Sequence, residues 1–310
     1  MLDIIRQARR ALILGMGGGG DVVGALAAAR FCESLGTEAR LGGVAWERLP
    51  IDPHPGPRPI AEVVGGSRLD GAVIADGGTT TPEGIPFAES RMAAHRGEPT
   101  ALIDVTGGPR GASAGVAAAA AALGCDLAIL VDVGGDVLAH GDEPELASPL
   151  CDAVMLSSLG HLGGRLGALT GVVGAGCDGE LSGGEVLERV AELARAGAWL
   201  GSFAVDPAVA AEIEAAAAEI PTEASLQIAR CARGEVGTST IRGGRRRVEL
   251  SPLGALGFLF DPAPTLAAAA PLARAVADAD SIDAARDALA ARGVRTELDY
   301  ERERAAERAP

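Results

Sequence analysis

Short apolar runs alternate with segments of helical spacing over the first 205 residues. Apolar runs predict strands near 11–14, 39–46, 70–76, 100–105, 126–133, 152–157, 169–173 and 200–205. The intervening segments include helices expected at 22–35, 82–95, 112–123 and 183–198. The run at 126–133 is apolar almost throughout, as in a strand buried on both faces of a parallel sheet. This alternation predicts an α/β fold with a doubly wound, mostly parallel, Rossmann-like sheet.

The pattern changes after residue 205, where helices are expected at 207–220, 222–233, 265–279 and 281–292. Two short β-type runs flank Gly243 and Gly244 and predict a hairpin over residues 238–250. The arginine run 245–247 is expected to be solvated, and the charged tail after Glu301 to be frayed. We predict a single domain, residues 1–310, with a core of about 10–205 and a helical and β-hairpin extension of about 206–310.

Composition and charge narrow the class of function. The net charge of −15 disfavours a nucleic-acid partner, because an acidic surface repels phosphate backbones. The sequence contains no lysine, which excludes a P-loop, a pyridoxal Schiff base and a protein kinase. Five separate cysteines do not form the paired spacing of a structural zinc site. With neither a signal-peptide pattern nor a membrane-spanning run, we expect a cytoplasmic protein, with a homo-oligomer possible.

Carboxylates follow most of the predicted strands. Ligands of an open parallel sheet bind beyond the carboxyl ends of its strands, so these side chains are expected to line one edge. They are Asp21, Glu47, Asp76, Asp104, Asp132, Asp136, Asp178 and Glu180. Grouped carboxylates repel one another unless cations or protons compensate them, and Mg²⁺ or Mn²⁺ prefers oxygen ligands. We predict a divalent metal held by Asp132, Asp136, Asp178 and Glu180; the alternative for Asp21 and Asp136 is that each caps the helix that follows it.

The glycine turn at residues 15–20 separates the first strand from the following helix. Gly15, Gly17 and Gly20 satisfy the dinucleotide fingerprint, but a stretch with five glycines matches almost any such pattern. We therefore favour a phosphate or carboxylate held by the amides of Gly17, Gly18, Gly19 and Gly20, near Asp21, over an NAD(P) site. The alternative is that the glycines serve only close packing of the helix against the sheet.

Other polar residues near these strand ends are candidates for substrate binding and proton transfer. Glu47 and Arg48 follow the second strand, and a proline-rich segment holds Asp52 and Arg58, so these four are candidate contacts to an anionic substrate. For catalysis we single out Asp178, Glu180, Asp136 and His140 as general acid or base groups.

Six segments in order are distinctive. They are residues 17–21 (GGGGD), 46–48 (WER), 52–58 (DPHPGPR), 132–136 (DVGGD), 143–152 (EPELASPLCD) and 178–181 (DGEL). Together they resemble the uncharacterised family called domain of unknown function 1152, and the resemblance covers nearly the whole chain. It implies a Rossmann-like single domain and brings no activity or residue role with it.

The sequence thus favours a metal-assisted enzyme that acts on a small anionic metabolite, phosphorylated or nucleotide-like. Transfer, hydrolysis and lyase chemistry remain open. An NAD(P)-dependent oxidoreductase and a non-catalytic nucleotide- or metabolite-binding protein are the alternatives.

Overall fold

A computed structural model describes residues 1–164 and 166–308 of the chain. A nine-stranded sheet forms its centre, in the order β3-β4-β5-β2-β1-β6-β7-β11-β8. These strands are β1 (Arg10–Gly15), β2 (Glu38–Val44), β3 (Ser67–Arg68), β4 (Ala72–Ala75), β5 (Thr100–Ile103), β6 (Leu127–Val133), β7 (Gly167–Val173), β8 (Trp199–Ala204) and β11 (Leu256–Phe260). The five strands β5-β2-β1-β6-β7 are parallel, and antiparallel strands flank them on both sides. The predicted doubly wound, Rossmann-like sheet is confirmed.

Helices cover both faces of the sheet, and the side-chain alternation of the strands explains why. In β1, Leu12 and Leu14 belong to one apolar core, while Ala11 and Ile13 belong to the other. The first core includes residues of α4 (Gly108–Leu123), α5 (Pro149–Ser158), α6 (Gly183–Arg195), α10 (Pro271–Ala275) and α11 (Ile282–Ala290). The second includes residues of α2 (Asp21–Ser34), α3 (Ala88–Arg96), α7 (Pro207–Ala217) and α8 (Ala224–Ala232).

The remaining α-helices and strands of the described residues lie at the ends of the chain and around the sheet. They are α1 (Leu2–Gln7), α9 (Pro262–Ala268), α12 (Glu297–Arg308) and the hairpin of β9 (Gly237–Ile241) and β10 (Arg246–Leu250). The predicted hairpin is confirmed and forms its own two-stranded sheet. Among the helices of the described residues, none combines the length and apolar character needed to cross a membrane.

Several predicted elements were wrong. The run 152–157 is not a strand: it lies in α5, where Pro149 is in the first turn and the whole helix is buried. A short apolar segment buried on every side carries no periodicity to separate the two structures. The helix expected from residue 82 begins only at Ala88, after Pro86. The tail after Glu301 is not frayed, because α12 continues to Arg308.

The sheet also contains a strand that the sequence pattern missed. β11 inserts between β7 and β8 and is antiparallel to both. The main sheet therefore extends past residue 205, into the segment expected to hold only helices and a hairpin. β8, predicted as the last strand of a parallel series, pairs with β11.

Candidate functional site

A cavity of about 270 Å³ opens at the carboxyl ends of β1 and β6. In the sheet, β1 lies between β2 and β6: the chain continues from β1 to β2 on one side and reaches β6 on the other side later. The cavity therefore lies where the strand order reverses, which is where open α/β sheets bind their ligands. Five aspartates line it, together with two arginines and the glycine turn. The charged lining residues are Asp21, Arg48, Asp132, Asp136, Asp152, Asp178, Glu223 and Arg242.

The glycine turn packs tightly against the rest of the site. Gly18 has a left-handed backbone with φ +74°, and a Cβ there would lie 2.8 Å from the carbonyl oxygen of Trp46. The amide of Gly19 donates to that same oxygen over 2.9 Å, and the amide of Gly17 donates to Asp21 Oδ2 over 2.9 Å. Close packing therefore accounts for several glycines, and two of the four amides predicted to bind an anion already have acceptors within the chain.

Three carboxylates from separate elements meet beside this turn, and we call them the first trio. Asp21 begins α2, Asp132 lies near the end of β6 and Asp152 lies in α5. One oxygen from each lies within 4.8 Å of the others. Asp132 Oδ2 accepts the amides of Gly135 and Val137. Asp152 is 2 % exposed, and its Oδ1 has no hydrogen-bond partner among the described residues.

The first trio is poorly compensated electrostatically. Burial is the largest effect on each group, because a charged carboxylate loses its hydration there. It raises the pKa of Asp21, surrounded by protein although partly open to the cavity, to about 6. Burial and the Asp21 charge raise the pKa of Asp132 to about 7. Burial and the charges of Asp132 and Asp21 hold the pKa of Asp152 well above its usual value.

A second trio consists of Asp136, Asp178 and Glu180, whose oxygens also lie within 4.8 Å of one another. Glu180 is the well-satisfied member: it accepts the Ala147 amide at 2.7 Å and the Ser148 amide at 2.8 Å. Although burial opposes ionisation, the nearby guanidinium groups and these donors lower the pKa of Glu180. Burial and neighbouring carboxylates raise the pKa of Asp136 and of Asp178 well above the usual value. The four predicted metal ligands are thus divided between the two trios.

Arg48 lines the cavity, and two glutamates of α12 lie close to its guanidinium. Its guanidinium lies 4.6 Å from the centre of the Trp46 ring and donates to the carbonyl of Gly17. Glu297 and Glu301 approach it at 3.7 and 3.9 Å, and Nη1 lacks a hydrogen-bond partner among the described residues. The two carboxylates outweigh the effect of burial and raise the pKa of Arg48 above its ordinary value.

Besides Gly19 and Glu180, whose contacts are given above, four predicted site residues lie outside the cavity lining and have other partners. Glu47 accepts the Ala88 amide at the start of α3 over 2.6 Å. Asp52 pairs with Arg58 at 2.8 Å, and both are buried in the proline-rich segment. His140 Nε2 lies 3.1 Å from Glu192 on α6.

Two other carboxylates expected at this edge of the sheet lie outside the cavity lining. Asp76 follows β4, which is antiparallel to β5, so its end points to the opposite edge and that prediction was wrong. Asp104 follows β5 but is outside the cavity lining, where it accepts the amides of Ile60 and Thr106.

Sequence reasoning also missed residues that the fold brings to the cavity. Asp152 was assigned to a strand, and Arg242 lies on the hairpin about 60 positions from the nearest predicted ligand. Arg246, expected to be solvated, is largely buried and donates to the carbonyl of Gly179 over 3.0 Å. For Arg242 and Arg246, the sequence offered one signal: the glycine pair Gly243-Gly244, which predicted the hairpin but not its position at the cavity.

The family profile described as "Protein of unknown function (DUF1152)" matches residues 12–305. The chain therefore belongs to this family, as its six ordered segments predicted. Neither a search of curated proteins nor a search of solved structures returned a match.

Proposed function

We propose that this DUF1152-family chain is a divalent-metal-assisted enzyme that acts on a small anionic metabolite, phosphorylated or nucleotide-like. One observation carries the proposal: the first trio places three carboxylates together, and Asp152 presents a buried oxygen that has no hydrogen-bond partner within residues 1–164 and 166–308. A buried acceptor left without a donor costs about 1–3 kcal/mol, so a cation bound there would remove a real penalty.

A hard divalent ion fits this donor set. Mg²⁺ and Mn²⁺ take carboxylate and water oxygens, and the first trio offers carboxylates from three different elements. Asp21, Asp132 and Asp152 would hold the ion, which would supply Lewis-acid activation of a bound oxygen. Asp136 and Asp178 line the same cavity and are the candidate groups for moving protons. Transfer, hydrolysis and lyase reactions all remain compatible with these roles.

The hydrogen bonds of the glycine turn favour this proposal over an NAD(P)-dependent oxidoreductase. A dinucleotide site places a pyrophosphate against free amides at the helix N-terminus. Here the Asp21 carboxylate occupies that end of α2, and the amides of Gly17 and Gly19 donate within the chain. An anionic substrate would then depend on the metal ion and on arginine for compensation of its charge.

Metal binding can be tested with the chelator-treated full chain. We expect Mn²⁺ to raise the melting temperature and to lose its free-ion electron paramagnetic resonance signal on adding protein. Asp152→Asn should abolish both effects, whereas Asp142→Asn, at an exposed position outside the cavity, should preserve them.

Turnover separates the enzyme from a binding protein. A panel of phosphorylated metabolites and nucleotides should yield a product whose formation stops in excess chelator and with Asp152→Asn. Full turnover in chelator would refute the metal-assisted mechanism. Ligand binding without turnover would favour the non-catalytic alternative, and stabilisation by NAD(P) alone would favour the oxidoreductase.

A further inference from the structure

Arg242 stands at the tip of the β9–β10 hairpin and lines the cavity. Its backbone is left-handed, with φ +54°, the one such non-glycine residue in the described ranges. A non-glycine residue in this region is uncommon and strained, so surrounding contacts must offset the strain. The contact that holds it is the Arg242 amide, which donates to the carboxylate of Glu223. The hairpin thus places an arginine over the acidic cavity at an energetic cost.

Most of the Arg242 guanidinium is available to a ligand. Its Nη1 donates to Glu180 over 3.1 Å, and the side chain is 38 % exposed. Within residues 1–164 and 166–308, no acceptor bonds its Nε or Nη2. These two nitrogens form the planar fork with which arginine binds a carboxylate or phosphate through two parallel hydrogen bonds.

Arg48, the other arginine of the cavity lining, is less suited to this role. It is stacked on Trp46, flanked by Glu297 and Glu301, and bonded to the turn carbonyl of Gly17. Its Nη1 has no hydrogen-bond partner among the described residues, but this nitrogen is buried and lies 3.9 Å from Glu301. Arg242 can bind a ligand while it keeps its bond to Glu180.

We infer that Arg242 forms the anion subsite of this cavity and binds a phosphoryl group of the substrate. This inference rests on the proposed function, since it concerns the same site. A phosphoryl group carries three strong acceptor oxygens, enough for both an arginine fork and a metal ion. The specificity for the anion would then reside on the hairpin, outside the parallel sheet that supplies the carboxylates.

Arg246 offers a matched control on the same hairpin. It lies 3.8 Å from the same carboxylate, Glu180, but it is outside the cavity lining. Arg242→Gln and Arg246→Gln therefore both reduce the positive charge near Glu180, and only the first removes a guanidinium that lines the cavity. Inorganic phosphate binding would be measured by calorimetry on the full chain, with and without Mn²⁺, and Mn²⁺ binding by electron paramagnetic resonance.

We expect Arg242→Gln to weaken phosphate binding about tenfold or more, since a hydrogen bond to a charged group contributes about 1.5–3 kcal/mol. Arg246→Gln should bind phosphate as the wild type does, and both variants should retain Mn²⁺. Unchanged phosphate affinity in Arg242→Gln, equal loss in both variants, or no phosphate binding by the wild type would overturn the inference. A wild type that binds phosphate through Arg242 but no Mn²⁺ would instead refute the proposed metal while leaving this subsite in place.

Discussion

Replacing Glu47 with glutamine should flatten the dependence of folding stability on pH. Glu47 is 5 % exposed, and its Oε1 accepts the Ala88 amide at the start of α3 over 2.6 Å. Burial raises the pKa of Glu47 from 4.5 to about 7. A glutamine has the same shape and keeps a carbonyl oxygen for the Ala88 amide, so the substitution removes the ionisation of Glu47 together with its charge effect on the buried neighbour Glu89.

The raised pKa determines both the sign and the size of the effect. Between pH 4.5 and 7 the folded state binds a proton at Glu47 that the unfolded chain releases, so stability falls as pH rises. The contribution is complete below pH 4.5 and lost as pH passes through about 7. At about 1.4 kcal/mol per pKa unit, the total is about 3 kcal/mol, of which about 2.5 kcal/mol falls between pH 5 and pH 8.

Urea unfolding at pH 5 and pH 8 tests this expectation. The measurements need chelator throughout, because a metal ion in the cavity would change the titration of the aspartates there. The loss of unfolding free energy from pH 5 to pH 8 should be about 2.5 kcal/mol smaller in Glu47→Gln than in wild type. Glu38→Gln, at an exposed glutamate of β2, controls for the loss of one negative charge. If wild type and Glu47→Gln lose the same stability, Glu47 is ionised in the folded state and the reasoning fails.

Three further substitutions test other parts of the structure. In metal-free protein, Asp152→Asn should raise the melting temperature at pH 8, because it removes the cost of ionising a buried and crowded carboxyl. Gly18→Ala should destabilise by about 1–3 kcal/mol in urea unfolding, and more than Gly84→Ala, which has a similar positive φ but no atom of the described residues within 4 Å of its Cβ position. Glu301→Ala should lower stability by about 1–3 kcal/mol and change tryptophan fluorescence, because it removes the acceptor of the Trp46 indole N–H and the Gly56 amide. Glu303→Ala, at an exposed neighbour on α12, should do neither.

The parts of the fold that the sequence predicted are those in which local pattern and tertiary position agree. The run before the glycine turn and the run at 126–133 became β1 and β6, the central pair of the sheet. The helix expected at 183–198 became α6, and Ser182 and Glu185 form a capping box at its start, each bonding the other's backbone amide. In each case a short stretch contains all the residues that determine the structure, so no distant contact is needed to recognise it.

The errors arose where distant packing decides the structure. The run 152–157 has a β-like composition, but α5 is buried among other helices and its N-terminal amides at Leu150 and Cys151 donate to Glu297. β11 is only five residues long and is stabilised by pairing with β7 and β8. Local sequence contains neither the partner strand nor the capping carboxylate, so neither element could be identified from its own residues.

In the candidate site, too, some residues could be predicted from local sequence and others only from the tertiary fold. Asp21, Asp132, Asp136 and Asp178 follow strands and were predicted from that position alone, because parallel strands bring their carboxyl ends to one edge. Asp152 and Arg242 come from a helix and a hairpin, and only the tertiary fold brings them to the cavity. The grouping of carboxylates into two trios is also a tertiary property, since it depends on which strand ends are adjacent.

Helix α12 contacts α5, the helix that contributes Asp152 to the first trio. Glu297 on α12 accepts the first amides of α5, the helix that carries Asp152, and lies 3.7 Å from Arg48. Glu301, one turn later, accepts the indole N–H of Trp46 and the amide of Gly56. One helix near residue 300 therefore positions both an acidic and a basic member of the cavity lining. For this reason we expect the metal site to form only when α12 is docked, although none of its residues lines the cavity.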